Sequence, residues 1–230
     1  MLLNISASNA LISVLFIVLS YIIGSIPFGI VIGKGIKGID IREYGSKNIG
    51  STNAIRVLGK KVGYLVFLCD VFKGMAVIIV VKILRSCGVW DTPISEFFYG
   101  AAAILGHCFS MFLEFKGGKA VATSLGVVLI MTPIPAILCL IAFVIILKIS
   151  GYVSLASTGA TITVITSAWI LYACGVEATS FLTYFIAKPE LLVAILYSIL
   201  ACLIIFKHRK NYKRLLNGTE NSFKKKNNIK

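Results

Sequence analysis

The chain has 230 residues, of which 58% are hydrophobic, and a formal net charge of +14; its mean hydropathy is +0.93. Too little polar surface is available to cover a soluble domain of this length, and the apolar runs leave no stretch for a separate one. The cations sit between apolar runs and not on one basic face, which argues against nucleic-acid binding and for membrane topology and anionic substrates.

Taken in chain order, seven apolar segments appear: Leu11–Ile32, Val62–Leu84, Phe97–Leu113, Ala120–Met131, Ala136–Leu147, Val153–Cys174 and Leu191–Phe206. Met1 to Ala10 carries no charged side chain, so the first run reads as a retained helix and not as a signal peptide. The first, second and sixth segments are long enough to cross a ~30 Å core, whereas the fourth and fifth would each reach only ~20 Å. Pro133 and Pro135 stand between those two. A hairpin of two short helices there, full or re-entrant, puts the cation clusters of 33–61, 114–119 and 207–230 on one side, as the positive-inside bias requires. The expected fold is therefore all-α and polytopic, with about seven transmembrane helices, the N-terminus outside and the C-terminus inside. One domain covers 1–230, with 221–230 a flexible basic tail. Gly29 and Gly33 have the GxxxG spacing of close helix packing. The six cysteines show no CxxC pair; a disulfide would be conceivable only between Cys87 and Cys174, on the outer side.

Three inner segments combine Gly, Ser, Asn and cations. In the first, Gly45 to Arg56, the glycines allow close backbone approach, Ser46, Asn48, Ser51, Thr52 and Asn53 offer neutral donors, and Thr52 reads as the N-cap of the second span. A helix N-terminus suits a phosphate, and Asn53 and Arg56 share one face of that helix. The second, Phe115 to Ser124, repeats this pattern with Gly117, Gly118 and Lys119 ahead of an apolar helix. In the third, His208 to Glu220, His208 and Asn211 lie on one helical face, while Lys210 and Lys213 read as contacts to anionic lipid. Asp70 and Lys73 form an expected interior pair within the second span; Asp40 and Arg42 are placed to fix the first loop; Ser154 and Ser157 read as capping or packing residues.

The nine carboxylates form no cluster suited to Mg²⁺, two histidines cannot make a His-rich metal site, and neither an HxxxxD nor a GxSxG motif is present. The expected site is rich in cations, needs no metal and works by positioning and charge stabilisation. A transporter of organic phosphate is the competing reading, weakened by the gathering of motifs at one membrane face and by the lack of an internal repeat.

Gly24-Ser25-Ile26-Pro27-Phe28-Gly29, Asp40-Ile41-Arg42, GSKNIGSTN with Arg56, FKGGKAVAT, Ser154-Leu155-Ala156-Ser157 and the His208–Glu220 tail resemble, in order and over nearly the whole chain, the bacterial acyl-phosphate:glycerol-3-phosphate acyltransferases, the PlsY family. The resemblance implies a seven-helix enzyme of the bacterial inner membrane with a cytoplasmic active site and no metal or other cofactor. Its substrates would be acyl phosphate and glycerol 3-phosphate, with scope for functional coupling to an enzyme that produces acyl phosphate. It implies catalytic roles for Ser46, Arg56, Lys119, His208 and Asn211. Lys119, His208 and Asn211, with Ser46 nearby, would hold the acceptor phosphate; Arg56 and the turn Gly50, Ser51, Thr52 and Asn53 would hold the acyl phosphate; Asn48, Gly117 and Gly118 complete the binding set. Lys47 and Ala120 stand where the family usually has Gly, Ser51 where it has Ala, and Ser110 where it has Pro.

Overall fold

The computed structural model describes residues 7–90, 92–175 and 189–223, and every regular element among them is helical. They are α1 (Ala7–Ser25), α2 (Phe28–Lys37), α3 (Ser51–Leu58), α4 (Lys60–Ser86), α5 (Phe97–Cys108), a 3₁₀ turn (Met111–Leu113), α6 (Val121–Met131), α7 (Pro133–Ser150), α8 (Val153–Cys174), α9 (Leu191–Lys207) and α10 (Arg209–Leu216). Helices α1, α4, α7 and α8 are each long and apolar enough to cross a membrane, and the pair α9 and α10, bent by 48°, adds a fifth candidate. The chain forms two compact units that divide after Met131. The cations at Lys188 and Lys224 to Lys230 lie outside the described residues.

The structure corrects the sequence reading at four places. The first apolar run is not one helix: it breaks between Ser25 and Phe28, because Pro27 has no N–H and disfavours helical geometry in the residue before it. The second span does not start at Thr52. Gly59, at φ 90°, separates the short helix α3 from α4. Thr52 therefore lies in the first turn of α3, whose N-cap residue is Gly50. Two helices do part at the prolines, α6 ending at Met131 and α7 starting at Pro133, but the second is not short: Pro133 and Pro135 lie in the first turn of an 18-residue α7, where a missing N–H removes no helical bond. Finally, 221–223 run against the α7–α8 turn, with Phe223 N–H donating to Gly151 O at 2.8 Å.

In the first unit, helices meet at glycines. A Cβ on Gly24 would lie 2.2 Å from Ala103 O, tying α1 closely to α5, and one on Gly74 would lie 2.1 Å from Thr123 O, tying α4 to α6. Small residues bring helix backbones together where lipid offers no hydrophobic drive. Gly29 and Gly33 serve a different partner from the expected helix. Their missing side chains admit the backbone of the 38–50 loop, at Ile49 O and Ile39 O. Ile41 and Ile49 are buried with Ile30, Ala54, Leu58 and Val66, which anchors that loop on α2, α3 and α4.

The break in α1/α2 leaves carbonyls without helical partners, an arrangement tolerated at membrane depth only where protein groups satisfy them. Lys73 Nζ donates to Ile26 O at 2.8 Å, and Ser110 Oγ donates to Ser25 O at 2.6 Å. Lys73 is paired with Asp70 at 2.7 Å, and both side chains are 2% exposed. The expected pair is thus present, and it serves a helix break. Replacing one partner of such a pair strands the other. Lys73→Met should destabilise the protein by about 3–5 kcal/mol, and adding Asp70→Asn should recover part of that loss; thermal unfolding in detergent measures both.

Candidate active site

The 38–50 loop is organised by one side chain. Asn53, 1% exposed, accepts from Ser46 N–H through Oδ1 at 2.8 Å. Its Nδ2 donates to Ile41 O, Tyr44 O and Asn48 O at 2.7, 3.2 and 2.9 Å. Asn48 Oδ1 accepts from Gly50 N–H at 3.0 Å and closes a turn of the kind Asn favours. A side chain at Gly45 would strike Asn53 Oδ1 at 2.4 Å. Asp40 binds Arg42 through both carboxylate oxygens, at 3.0 and 2.7 Å, as the sequence suggested. The Arg42 hydrogen bond holds the Asp40 carboxyl well below the usual carboxylate range, so Asp40 stays charged throughout the neutral range.

The loop leads directly into α3. Ser46, Ser51, Thr52 and Arg56 are all partly exposed and thus reachable. Asn53 and Arg56 do lie on one short helix, but the Asn53 amide is occupied by the loop backbone. The first turn of α3 adds N–H groups that have no acceptor within the helix.

The second loop is built on the end of α5. Gly117 N–H donates to Cys108 O at 3.2 Å and Gly118 N–H to His107 O at 2.9 Å. A Cβ on Gly117 would meet His107 O at 2.1 Å, so only glycine allows this approach. Lys119, partly exposed, follows at once, and α6 begins two residues later. Two glycine-and-cation turns therefore each precede a helix N-terminus, as the sequence implied. Their glycine N–H groups at 50, 117 and 118 are engaged within the protein, so these glycines contribute shape and close approach.

In the second unit, His208 marks the bend between α9 and α10. It is 2% exposed and Asn211 is 7% exposed, so both face inward as their spacing suggested. His208 Nδ1 lies 2.8 Å from Ile204 O. A carbonyl only accepts, so Nδ1 carries the proton and donates it to Ile204 O. The Asn211 amide donates to Glu220 Oε1 at 2.7 Å, Ser154 Oγ donates to the same oxygen at 3.2 Å, and Arg214 Nε donates to Oε2 at 2.7 Å. Ser154 thus binds the tail instead of capping α8, whose N-cap residue is Tyr152. Tyr212 lies against the His208 ring, 6.2 Å between centroids, and its hydroxyl pairs with Thr158 at 2.7 Å. Sequence reasoning missed Glu220 as the partner of Asn211; the available signal was that Glu220 is the one carboxylate in a tail otherwise full of cations.

Lys47 and Ala120 adopt left-handed backbone conformations, with φ of 57° and 58°. A side chain there carries a steric penalty that glycine avoids. Lys47→Gly and Ala120→Gly should each raise stability by about 1 kcal/mol, read as a higher midpoint of thermal unfolding.

Comparison with known proteins shows the family. Residues 14–218 match the family model described as glycerol-3-phosphate acyltransferase. The chain is 44% identical over 209 residues to the glycerol-3-phosphate acyltransferase of Fusobacterium nucleatum subsp. nucleatum, covering 91% of this chain and 97% of that one. It is 41% identical over 220 residues to that of Acholeplasma laidlawii, covering 93% and 94%. Among solved structures it resembles PlsY (YgiH), an integral membrane glycerol 3-phosphate acyltransferase. In the glycerol 3-phosphate form the TM-score is 0.75 at 38% identity, covering 91% of this chain and 94% of that one. In the lysophosphatidic acid form the TM-score is 0.73 at 37% identity, with the same coverage. With its family model, relatives and fold in agreement, the chain belongs to the integral membrane glycerol-3-phosphate acyltransferases of the PlsY family.

Proposed function

We propose that this acyltransferase takes its acyl group from acyl phosphate. The reaction forms an ester between the acyl carbon and the 1-hydroxyl of sn-glycerol 3-phosphate, breaks the acyl–oxygen bond to phosphate, and releases 1-acyl-glycerol 3-phosphate (lysophosphatidic acid) and inorganic phosphate. The observation that carries this reading is the pair of glycine-and-cation turns, each ahead of a helix N-terminus: one for each of two phosphate-bearing substrates. The neighbour solved in glycerol 3-phosphate and lysophosphatidic acid forms supports the acceptor and the product.

In this reading Lys119 binds the acceptor phosphate, a role that the family resemblance also assigns to His208 and Asn211, and Ser46 helps to orient the acceptor. Arg56 and the start of α3 at Ser51 and Thr52 hold the phosphate of the donor. Asn48, Gly50 and Asn53 keep the first loop in shape, as Gly117 and Gly118 do the second. Negative charge grows on the departing phosphate as the acyl–oxygen bond breaks, and Arg56 is the group that stabilises it. The hydroxyl proton passes to a phosphate oxygen of a substrate, so no protein base is needed. Positioning of two bound phosphates and charge stabilisation supply the rate enhancement. The excess of Lys and Arg in the loops at 33–61, 114–119 and after α9 supports a cytoplasmic site in the inner membrane, with seven crossings and an outer N-terminus.

Purified protein given palmitoyl phosphate and glycerol 3-phosphate in EDTA should release phosphate and form the acylated product; strict dependence on Mg²⁺, or activity with acyl-CoA alone, would contradict this reading. Arg56→Ala and Lys119→Ala should each lower turnover by at least about a thousandfold while leaving the unfolding midpoint unchanged. Rates near wild type in both would remove the site assignment.

A further inference from the structure

Three buried ionisable residues have no part in the reaction above. Asp70 and Lys73 of α4 and His107 of α5 are 1%, 2% and 5% exposed. Burying ionisable groups in a membrane protein is costly, and apolar residues of similar size would fill the space better. Lys73 has a structural duty at the Ile26 carbonyl. The His107 Nδ1 lies 3.7 Å from Asp70 Oδ1.

The opposite edge of the His107 ring faces the second loop. A Cβ placed on Gly118 would lie 2.2 Å from His107 Nε2, and the carbonyl of His107 accepts the Gly118 N–H at 2.9 Å. The imidazole therefore lies between Asp70, 3.7 Å from its Nδ1, and the turn that precedes Lys119, against which its Nε2 edge packs. The same stretch of α4 touches the start of α6 directly: Gly74 packs on the Thr123 backbone and Gly126 on that of Val71. A line of neighbouring buried groups thus runs from the Lys73–Asp70 pair through His107 to Gly118, beside the close α4–α6 packing.

We propose that Asp70, Lys73 and His107 form a positioning network that sets the Gly117–Gly118 turn, and through it the Lys119 ammonium, for the phosphate of the acceptor. His107 acts through Gly118 and touches no substrate. The proposal rests on the assignment of Lys119 to the acceptor phosphate. A displacement of Lys119 by an ångström or less weakens binding of the acceptor and leaves the donor unaffected.

The decisive experiment is a double-mutant cycle between Gly118→Ala and His107→Ala, read as KM for each substrate. Gly118→Ala alone should raise KM for glycerol 3-phosphate by about tenfold or more, because the new methyl group displaces the imidazole and the turn. His107→Ala alone should raise the same KM and leave that for palmitoyl phosphate unchanged. With the ring removed, Gly118→Ala should add less than about a twofold further effect. His107→Asn, which keeps a polar atom near Asp70, should fall between wild type and His107→Ala. Effects of the two substitutions that multiply independently would overturn the proposal. So would an equal rise in both KM values accompanied by a lower unfolding midpoint in His107→Ala and His107→Asn. Protection of the detergent-solubilised proteins from heat by glycerol 3-phosphate reads the same coupling without turnover. If wild type fails to use palmitoyl phosphate, the donor assignment fails, and this protection still decides the network. Protection weakened in Gly118→Ala and in His107→Ala, and weakened no further in the double variant, supports it; equal protection in all four proteins, or losses that add independently in the double variant, overturn it.

Discussion

A lysine ammonium on a backbone carbonyl underlies the first 131 residues of this protein. Where Pro27 breaks the first apolar run, Ile26 O loses its helical partner and accepts the Phe28 N–H across a tight turn at 3.1 Å. Lys73 supplies a second, charged donor to it, and Asp70 supplies the negative charge that makes a buried lysine tolerable. Ser110 performs the same service for Ser25 O. The break permits α2 to leave the line of α1 and to present Gly29 and Gly33 to the 38–50 loop.

From that constraint follows a division of labour among polar groups. Asn53, Asn48, and the N–H groups of Gly50, Gly117 and Gly118 are engaged with the protein's own backbone or with each other. They give both loops a fixed shape before any substrate arrives, and preorganisation of this kind is what makes charge stabilisation effective. The charged side chains assigned to substrate, Arg56 and Lys119, stand at the ends of these built segments and are partly exposed. In the second unit Glu220 plays the organising part. It collects Asn211, Ser154 and Arg214, and so fixes the short helix that follows His208.

Much of this was legible in the sequence. Apolar length gave a helical membrane protein, and the spacing of Asp70 and Lys73 gave their pair. The strings around Gly45–Arg56 and Phe115–Ser124 marked the loops, and the ordered motifs pointed to the family that the comparisons show. Other features were not legible, for physical reasons. Hydropathy is blind to a single proline, so the break at Pro27 was hidden inside a continuous apolar run. Pro133 and Pro135 marked a true helix boundary, but composition does not distinguish a helix's first turn from a loop, so the 18-residue length of α7 was hidden. The role of Asn53 depends on carbonyls as far away as Ile41, and that of His107 on a contact with Gly118; neither long-range partner is encoded in local spacing.

In the proposed mechanism the loop-building groups stay on the protein while Lys119 is kept for phosphate. A crystal structure with glycerol 3-phosphate bound tests it most directly. The account predicts a phosphate oxygen within about 3 Å of Lys119 Nζ, with the Asn53 amide still on the loop backbone, the Gly117 and Gly118 N–H groups still on α5, and Lys73 still on Ile26 O. A phosphate held by the Asn53 amide or by the two glycine N–H groups, with Lys119 turned away, would contradict it.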